Sequence, residues 1–327
     1  MLIHNAPLDA RQRLAGAPRK GVAMPYIDSG GIRLYFEEYG RGYPIIFVHE
    51  FESDLHSWEA QIRFFSRGYR CIAYNARGYP PSDVPDDPAI YGWEVAVEDI
   101  GIVMRDLSIG RAHMVGSSMG AYAALLFGLR YREMSSAIVA AGAGAGSPAS
   151  DRERWLKNTS VLARALAARG MDAMAEKMAR HSTRIQLKHK DPKGWQEFVD
   201  RLKQHSAQGM ANTLLQCQAV RPALYNFRDE FSRMMVPVLL AVGDEDMPCL
   251  ETGLMLKSTI PAAGIWVCPN TGHAINLEEP AAFNAQIEAF FSAVERGSWG
   301  HIDRRKQSLS GHEKSAAARL HFDGALP

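Results

Sequence analysis

His113-Met114-Val115-Gly116-Ser117-Ser118-Met119-Gly120-Ala121-Tyr122-Ala123-Ala124-Leu125-Leu126 is the stretch on which the reading of this chain turns. A short apolar run leads into Gly-x-Ser-x-Gly and then into a segment rich in Ala and Leu, the order expected of strand, tight turn and helix. At such a turn the central residue is held in a strained backbone conformation where neighbouring side chains would collide, which gives Gly116 and Gly120 a steric reason to be glycine. Ser118 is therefore the candidate nucleophile, and Ser117 only the variable position. A helix starting near Met119 would aim backbone N–H groups and its positive end at an oxygen reacting there. The competing interpretation is a serine in an ordinary strand-to-helix turn, and in a chain with 28 glycines the motif alone is modest. Its flanking elements and its downstream partners weigh against that interpretation.

Outward from this turn, β-rich runs at 32–38, 45–48, 71–74, 113–115, 137–140, 238–242 and 265–267 alternate with helical patterns. Several runs are continuously apolar, as expected when helices cover both faces of a mostly parallel sheet. The pattern predicts a doubly wound α/β domain. Alternation lapses from about 147 to 233, where helix-like segments follow one another, and this stretch reads as a helical cap inserted between two core strands. Its first helix is expected to open on the capping pair Ser150 and Glu153 and to stop at Gly170. The Gly/Ala alternation at 141–146 suits a mobile hinge into it. The predicted organisation is an extension at 1–22, a core at 23–146 and 234–296, the cap at 147–233 and a polar tail at 297–327.

Composition narrows the function classes. A chain of 327 residues that is 46% hydrophobic can bury a sizeable core. Lys+Arg at 37 against Asp+Glu at 36 leaves a net charge of +1, so no global field favours nucleic acid or an anionic membrane. The apolar stretches fall short of the roughly 20 residues that span a bilayer. Four scattered cysteines without a C-x-x-C pair read as buried thiols in a reducing compartment, and the N-terminus lacks the pattern of a secretory signal, so the expected location is cytoplasmic. A cap can pack against a second copy, so a homo-oligomer stays open.

With the elbow and the alternation in place, residues 25 to 295 resemble the α/β-hydrolase superfamily, in particular its capped branch of esterases, lactonases, carbon–carbon hydrolases and cofactor-free haloperoxidases. The resemblance implies an acid and a histidine following the serine in that order. Pro269-Asn270-Thr271-Gly272-His273-Ala274-Ile275 matches the family's Gly-His loop, and His273 is the expected base, its ordinary pKa suited to taking and returning a proton. For the acid, Val242-Gly243-Asp244-Glu245-Asp246 offers three candidates, and the family's Gly-x-x-Asp spacing favours Asp246 over Asp244, with Glu245 behind. By position, the backbone N–H groups of Phe51 and Met119 form the implied oxyanion hole. His49-Glu50 stands where the family commonly has His-Gly; the expectation is that Glu50 turns away from the oxyanion, the sharper alternative being that Glu50 or Glu52 touches substrate or sets the loop.

Asn75-Ala76-Arg77-Gly78 resembles a family turn that is normally structural, with Arg77 as its anchor. Within the cap, Trp155, Trp195 and Met210 are the named candidates for lining a substrate pocket, although such residues are more often helix packing. The Arg180 to Arg184 run is read first as a solvated helix face, and His56, His181, His189 and His205 as surface or cap residues. No ligand spacing for a metal is seen, and neither metal nor organic cofactor is required. The resemblance implies hydrolysis of a carboxylic ester or lactone of a small molecule, with carbon–carbon bond hydrolysis, perhydrolysis and a non-catalytic ligand receptor as rivals.

Overall fold

The computed structural model describes residues 25–300. The extension expected at 1–22 and most of the tail expected at 297–327 lie outside the described residues. Eight strands form one sheet: β1 Tyr26–Ser29, β2 Ile32–Gly40, β3 Tyr43–Val48, β4 Tyr69–Tyr74, β5 Ala112–Ser117, β6 Ser135–Ala141, β7 Val238–Gly243 and β8 Ala263–Cys268. Their spatial order is β1-β2-β4-β3-β5-β6-β7-β8. β2 runs antiparallel to β1 and β4, and every pairing from β4 to β8 is parallel. The completely buried β5, β6 and β7 are the continuous apolar runs that helices on both faces require.

Helices α1 Glu59–Phe65, α2 Trp93–Asp106 and α3 Met119–Arg130 precede the inserted segment. Helices α4 Ala149–Ala179, α5 Ile185–Lys190, α6 Pro192–Lys203, α7 Ala207–Thr213 and α8 Arg228–Phe231 make up that segment, between β6 and β7, and α9 Met247–Thr259, α10 Ile275–Glu278 and α11 Pro280–Glu295 follow it. One apolar core places Ile100, Leu125 and Phe127 of α2 and α3 against one face of the sheet. A second places Phe65, Phe283 and Phe291 of α1 and α11 against the other. A third joins the inserted helices, through Met174, Phe198 and Met210, to Phe51, Tyr79 and Met119 at the C-terminal end of the parallel strands. No helix among the described residues is long and apolar enough to cross a membrane.

Three local expectations are corrected. β1, four residues long, was not anticipated. α4 begins at Ala149 with Pro148, in extended backbone, at its N-cap position, so Ser150 is already helical and caps nothing. Gly170 does break the helix, at φ 74° and ψ 174°, but α4 resumes at once. Residues 141–146 form a packed corner and not a loose hinge: a Cβ on Gly144 would lie 2.6 Å from Thr252 Cβ, and one on Gly146 would lie 2.3 Å from the Trp155 ring.

Candidate active site

Ser118 sits between β5 and α3 at φ 49° and ψ −107°, a left-handed backbone in a non-glycine residue that persists only when its surroundings impose it. They do so by close approach. A Cβ on Gly116 would fall 2.4 Å from Gly120 O, and one on Gly120 would fall 2.1 Å from Val48 O, so backbone occupies the space of both side chains. Ser118 N–H donates to Ala141 O at 2.8 Å, tying the turn to the end of β6. Ser118 is half-buried.

His273 follows β8 on a loop shaped by Glu278, which lies beyond the Gly-His motif itself. Glu278 Oε2 accepts from Gly272 N–H at 2.7 Å and Oε1 from Ala274 N–H at 3.2 Å, so one buried carboxylate holds both peptides beside the histidine. His273 Nδ1 lies 2.5 Å from Asp246 Oδ2. Asp244 instead accepts from Thr271 N–H at 3.0 Å, and the exposed Glu245 bonds Gln186. Of the three acids after β7, the fold brings only Asp246 to the imidazole. Burial works against the charged forms of both partners, but their mutual attraction and hydrogen bond outweigh it: the His273 pKa is raised and the Asp246 pKa lowered.

Phe51 and Met119 are both buried, in the same apolar cluster. Met119 opens α3, where a backbone N–H has no intrahelical acceptor. Phe51 N–H makes no backbone hydrogen bond among the described residues, while Phe51 O accepts from Tyr79 Oη at 2.9 Å. His49 fixes this loop. Its Nε2 accepts from Ala76 N–H at 3.0 Å, which leaves Nδ1–H to donate to Glu50 O at 2.7 Å. Burial pushes its pKa down to about 4, so this ring is neutral and structural.

Glu50 does not turn away. It is 3% exposed, and its Oε2 stands 3.8 Å from His273 Nε2, the ring nitrogen not engaged by Asp246. Arg184, from the turn before α5, removes the electrostatic objection. Its Nη1 donates to Glu50 Oε1 at 2.8 Å and its Nη2 to Glu50 Oε2 at 2.5 Å, and its Nε pairs with Glu52. Arg184 is therefore a buried partner and not part of a solvated face; Arg180, His181 and Ser182 of that run are exposed as expected. Burial raises the Glu50 pKa, but Arg184 more than reverses this and holds the carboxylate below its ordinary range. The neighbouring Thr183 O accepts His273 N–H at 2.8 Å, so the inserted segment grips both the His273 loop and the loop opposite it. An acid where a glycine is expected was the signal in the sequence for a buried cation elsewhere.

Other expected residues fall variously. Arg77 anchors loops as expected, through Asp99 at 2.7 Å and Ile90 O at 3.0 Å. Of the two places expected for His205, the surface or the inserted helices, it takes the second: it lies between α6 and α7, is 7% exposed, and its Nε2 lies 3.8 Å from Asp54 Oδ2. Trp195 Nε1–H donates to Ala179 O at 3.1 Å inside the inserted helices. Met210 is fully buried in the cluster that holds Phe51 and Met119, and Trp155 is half-buried against Gly146. An open cleft of about 530 Å³ beside Glu52, Asp54, Phe198 and Asn276 is lined by none of Ser118, Asp246 or His273.

Asp246, Cys249 and His273 are the group of possible metal donors found among the described residues. Nδ1 and the carboxylate are already engaged with each other. Burial and the Asp246 charge hold the Cys249 thiol well above its ordinary pKa, so it is a poor ligand.

An α/β sheet with a strained serine after its central strand, and a buried acid–histidine pair after later strands, defines a class of hydrolases. The model of the alpha/beta hydrolase family matches residues 45–286, and the chain belongs to that family. It is similar to 3-oxoadipate enol-lactonase 2 of Acinetobacter baylyi, with 25% identity over 75% of this chain and 87% of the relative. A 2-hydroxy-6-oxononadienedioate/2-hydroxy-6-oxononatrienedioate hydrolase of Comamonas testosteroni is 26% identical over 77% of this chain and 88% of the relative. Among solved structures, a thermophilic esterase from Thermogutta terrifontis is 25% identical with a TM-score of 0.71, covering 83% of this chain and 97% of that one.

Proposed function

We propose that the protein is a serine hydrolase that cleaves a carboxylic ester or lactone of a small molecule through an acyl-enzyme on Ser118. The observation that carries this reading is the 2.5 Å contact of Asp246 with His273 Nδ1, which leaves Nε2 for a proton from the strained Ser118. The enol-lactonase and esterase similarities support the same bond type.

Ser118 Oγ attacks the carbonyl carbon as its proton passes to His273 Nε2. The oxyanion takes the N–H groups of Phe51 and Met119, donors worth about 3–4 kcal/mol each in a dry site. The carbon–oxygen bond to the leaving alcohol breaks as His273 returns the proton to it. Water then attacks the acyl-enzyme and gives its proton to His273, and Ser118 recovers that proton as the acid departs. Asp246 orients the imidazole and balances the imidazolium charge, to which Glu50 adds from the far side. The inserted helices act as a cap, with Met210 contributing to the apolar wall beside Phe51 and Met119.

The test is intact-protein mass after exposure to a serine-directed phosphonate, together with turnover of p-nitrophenyl esters, for the wild type and Ser118→Ala. A wild-type adduct with ester turnover, both absent in the variant, is the expected result. No adduct on the wild type would sink the reading. An adduct without ester turnover would favour carbon–carbon bond hydrolysis, the activity named for the Comamonas testosteroni relative.

A further inference from the structure

Two arginines, Arg221 and Arg152, stand close to the site with no acid to answer them among the described residues. Arg221, in the loop between α7 and α8, is 5% exposed. Its Nη2 donates to Ala145 O at 3.0 Å, and its Nη1 is buried without any hydrogen-bond partner. The guanidinium carbon lies 4.7 Å from the centre of the Tyr122 ring and 5.1 Å from that of Trp155. Arg152 of α4 joins it: Nη1 donates to Gly146 O at 3.0 Å, Nη2 to Arg221 O at 2.6 Å, and its guanidinium lies 5.2 Å from the Trp155 ring. Burial pulls both guanidinium pKa values below the ordinary value, and no carboxylate acts in the opposite direction. The other fully buried arginine among the described residues, Arg184, has Glu50 and Glu52, and the half-buried Arg77 has Asp99.

An uncompensated charge out of water is costly, and two aromatic faces and a few carbonyls offset only part of that cost. The position says what would offset the rest. Tyr122 is four residues after Ser118 on α3, and its N–H donates to Ser118 O at 2.9 Å, which puts it about 6 Å along the helix from the nucleophile. From the other side, Gly142 packs on His273, with an added Cβ 3.1 Å from Cε1, and Ala145, which anchors Arg221, is three residues on, at most about 10 Å of chain. By both routes Arg221 is tied to backbone next to the site, through one turn of α3 from Ser118 and through three residues of chain from the glycine that packs on His273.

We propose that Arg221, supported by Arg152 and walled by Tyr122 and Trp155, seats a carboxylate on the substrate, so that the ester or lactone cleaved at Ser118 carries a second, anionic end. The planar fork suits two carboxylate oxygens, and the free Nη1–H is one of the donors it would use. This inference rests on the hydrolytic reading, and deepens it by naming the charge class of the substrate.

The test compares p-nitrophenyl valerate with mono-p-nitrophenyl glutarate, esters of similar chain length that differ in a terminal carboxylate. Alongside it, glutarate binding is measured by calorimetry, which needs no turnover. The wild type is expected to favour the anionic ester in kcat/KM by at least tenfold, and glutarate to bind. Arg221→Met loses that ratio and the glutarate heat, Arg221→Lys retains part of both, and Arg152→Met gives a smaller drop, with each variant's fold checked by circular dichroism. A wild-type ratio near one, or a ratio unchanged in Arg221→Met, overturns the proposal. If neither ester turns over, the hydrolytic reading fails by itself. Calorimetry then decides the anion seat: glutarate binding that depends on Arg221 sustains it, and no binding overturns it.

Discussion

The two sides of the candidate site are held by opposite means. On the core side, the elbow is a matter of volume: Gly116, Ser118 and Gly120 are fixed because backbone atoms of Val48, Gly120 and Ala141 leave no alternative. On the side of the inserted helices the facing loop after β3 is held by charge, through Arg184 lodged between Glu50 and Glu52. Steric fixing is indifferent to pH and salt. A buried ion pair is intolerant of losing one member, because the partner left behind has no water to turn to.

Substitutions can break this contrast, and the largest expected effect lies in the group common to both sides. Asp246→Asn removes the charge that balances imidazolium and should cut kcat on an ester by about 10³–10⁴-fold while the fold is kept, measured by steady-state turnover beside circular dichroism. Next comes Arg184→Met, which strands Glu50 and Glu52; a stability loss of about 3–5 kcal/mol in urea unfolding is expected, well beyond that of an exposed pair such as Lys193 and Glu197. Gly120→Ala probes the steric side. Its new Cβ meets a carbonyl and must displace it, so a loss of about 1–3 kcal/mol is expected, unaffected by ionic strength.

The smallest effect sharpens the contrast through pH. Glu50 helps to hold the His273 pKa above its ordinary value, and the base works only when neutral, so kcat/KM should rise with pH through that raised value. Glu50→Gln removes a charge favouring imidazolium and leaves Arg184 to disfavour it. The acidic limb of the profile should therefore move to lower pH. An unmoved or upward-shifted limb would show that Glu50 does not act on the base.

What could be read from the sequence follows from distance along the chain. The strand–turn–helix around Ser118 and the loop around His273 are local, and a steric demand on adjacent residues leaves its mark in adjacent letters. Asp246 was separable from Asp244 only by family spacing, since three acids within three residues look alike until one meets an imidazole. The pairing of Glu50 with Arg184 spans 134 positions, so no window contains it. Its trace is a carboxylate where glycine is expected, and the expectation that it turns outward fails because the cation that keeps it inward comes from a distant turn. β1 went unread because four residues ending in a turn carry too little periodicity. Arg221 is a milder case: Trp155 was named as a pocket residue, while the arginine against it looked like any other charge.

The grip of Thr183 and Arg184 on the base and the facing loop has a further consequence, for modularity. Relatives that share a core are often imagined as exchanging their inserted segments freely, each transplant bringing a new specificity. This core would reject a donor without an arginine at the Arg184 position, which would bury Glu50 unanswered, or one whose backbone there does not bring a carbonyl to the His273 N–H. Here the two modules can diverge only together.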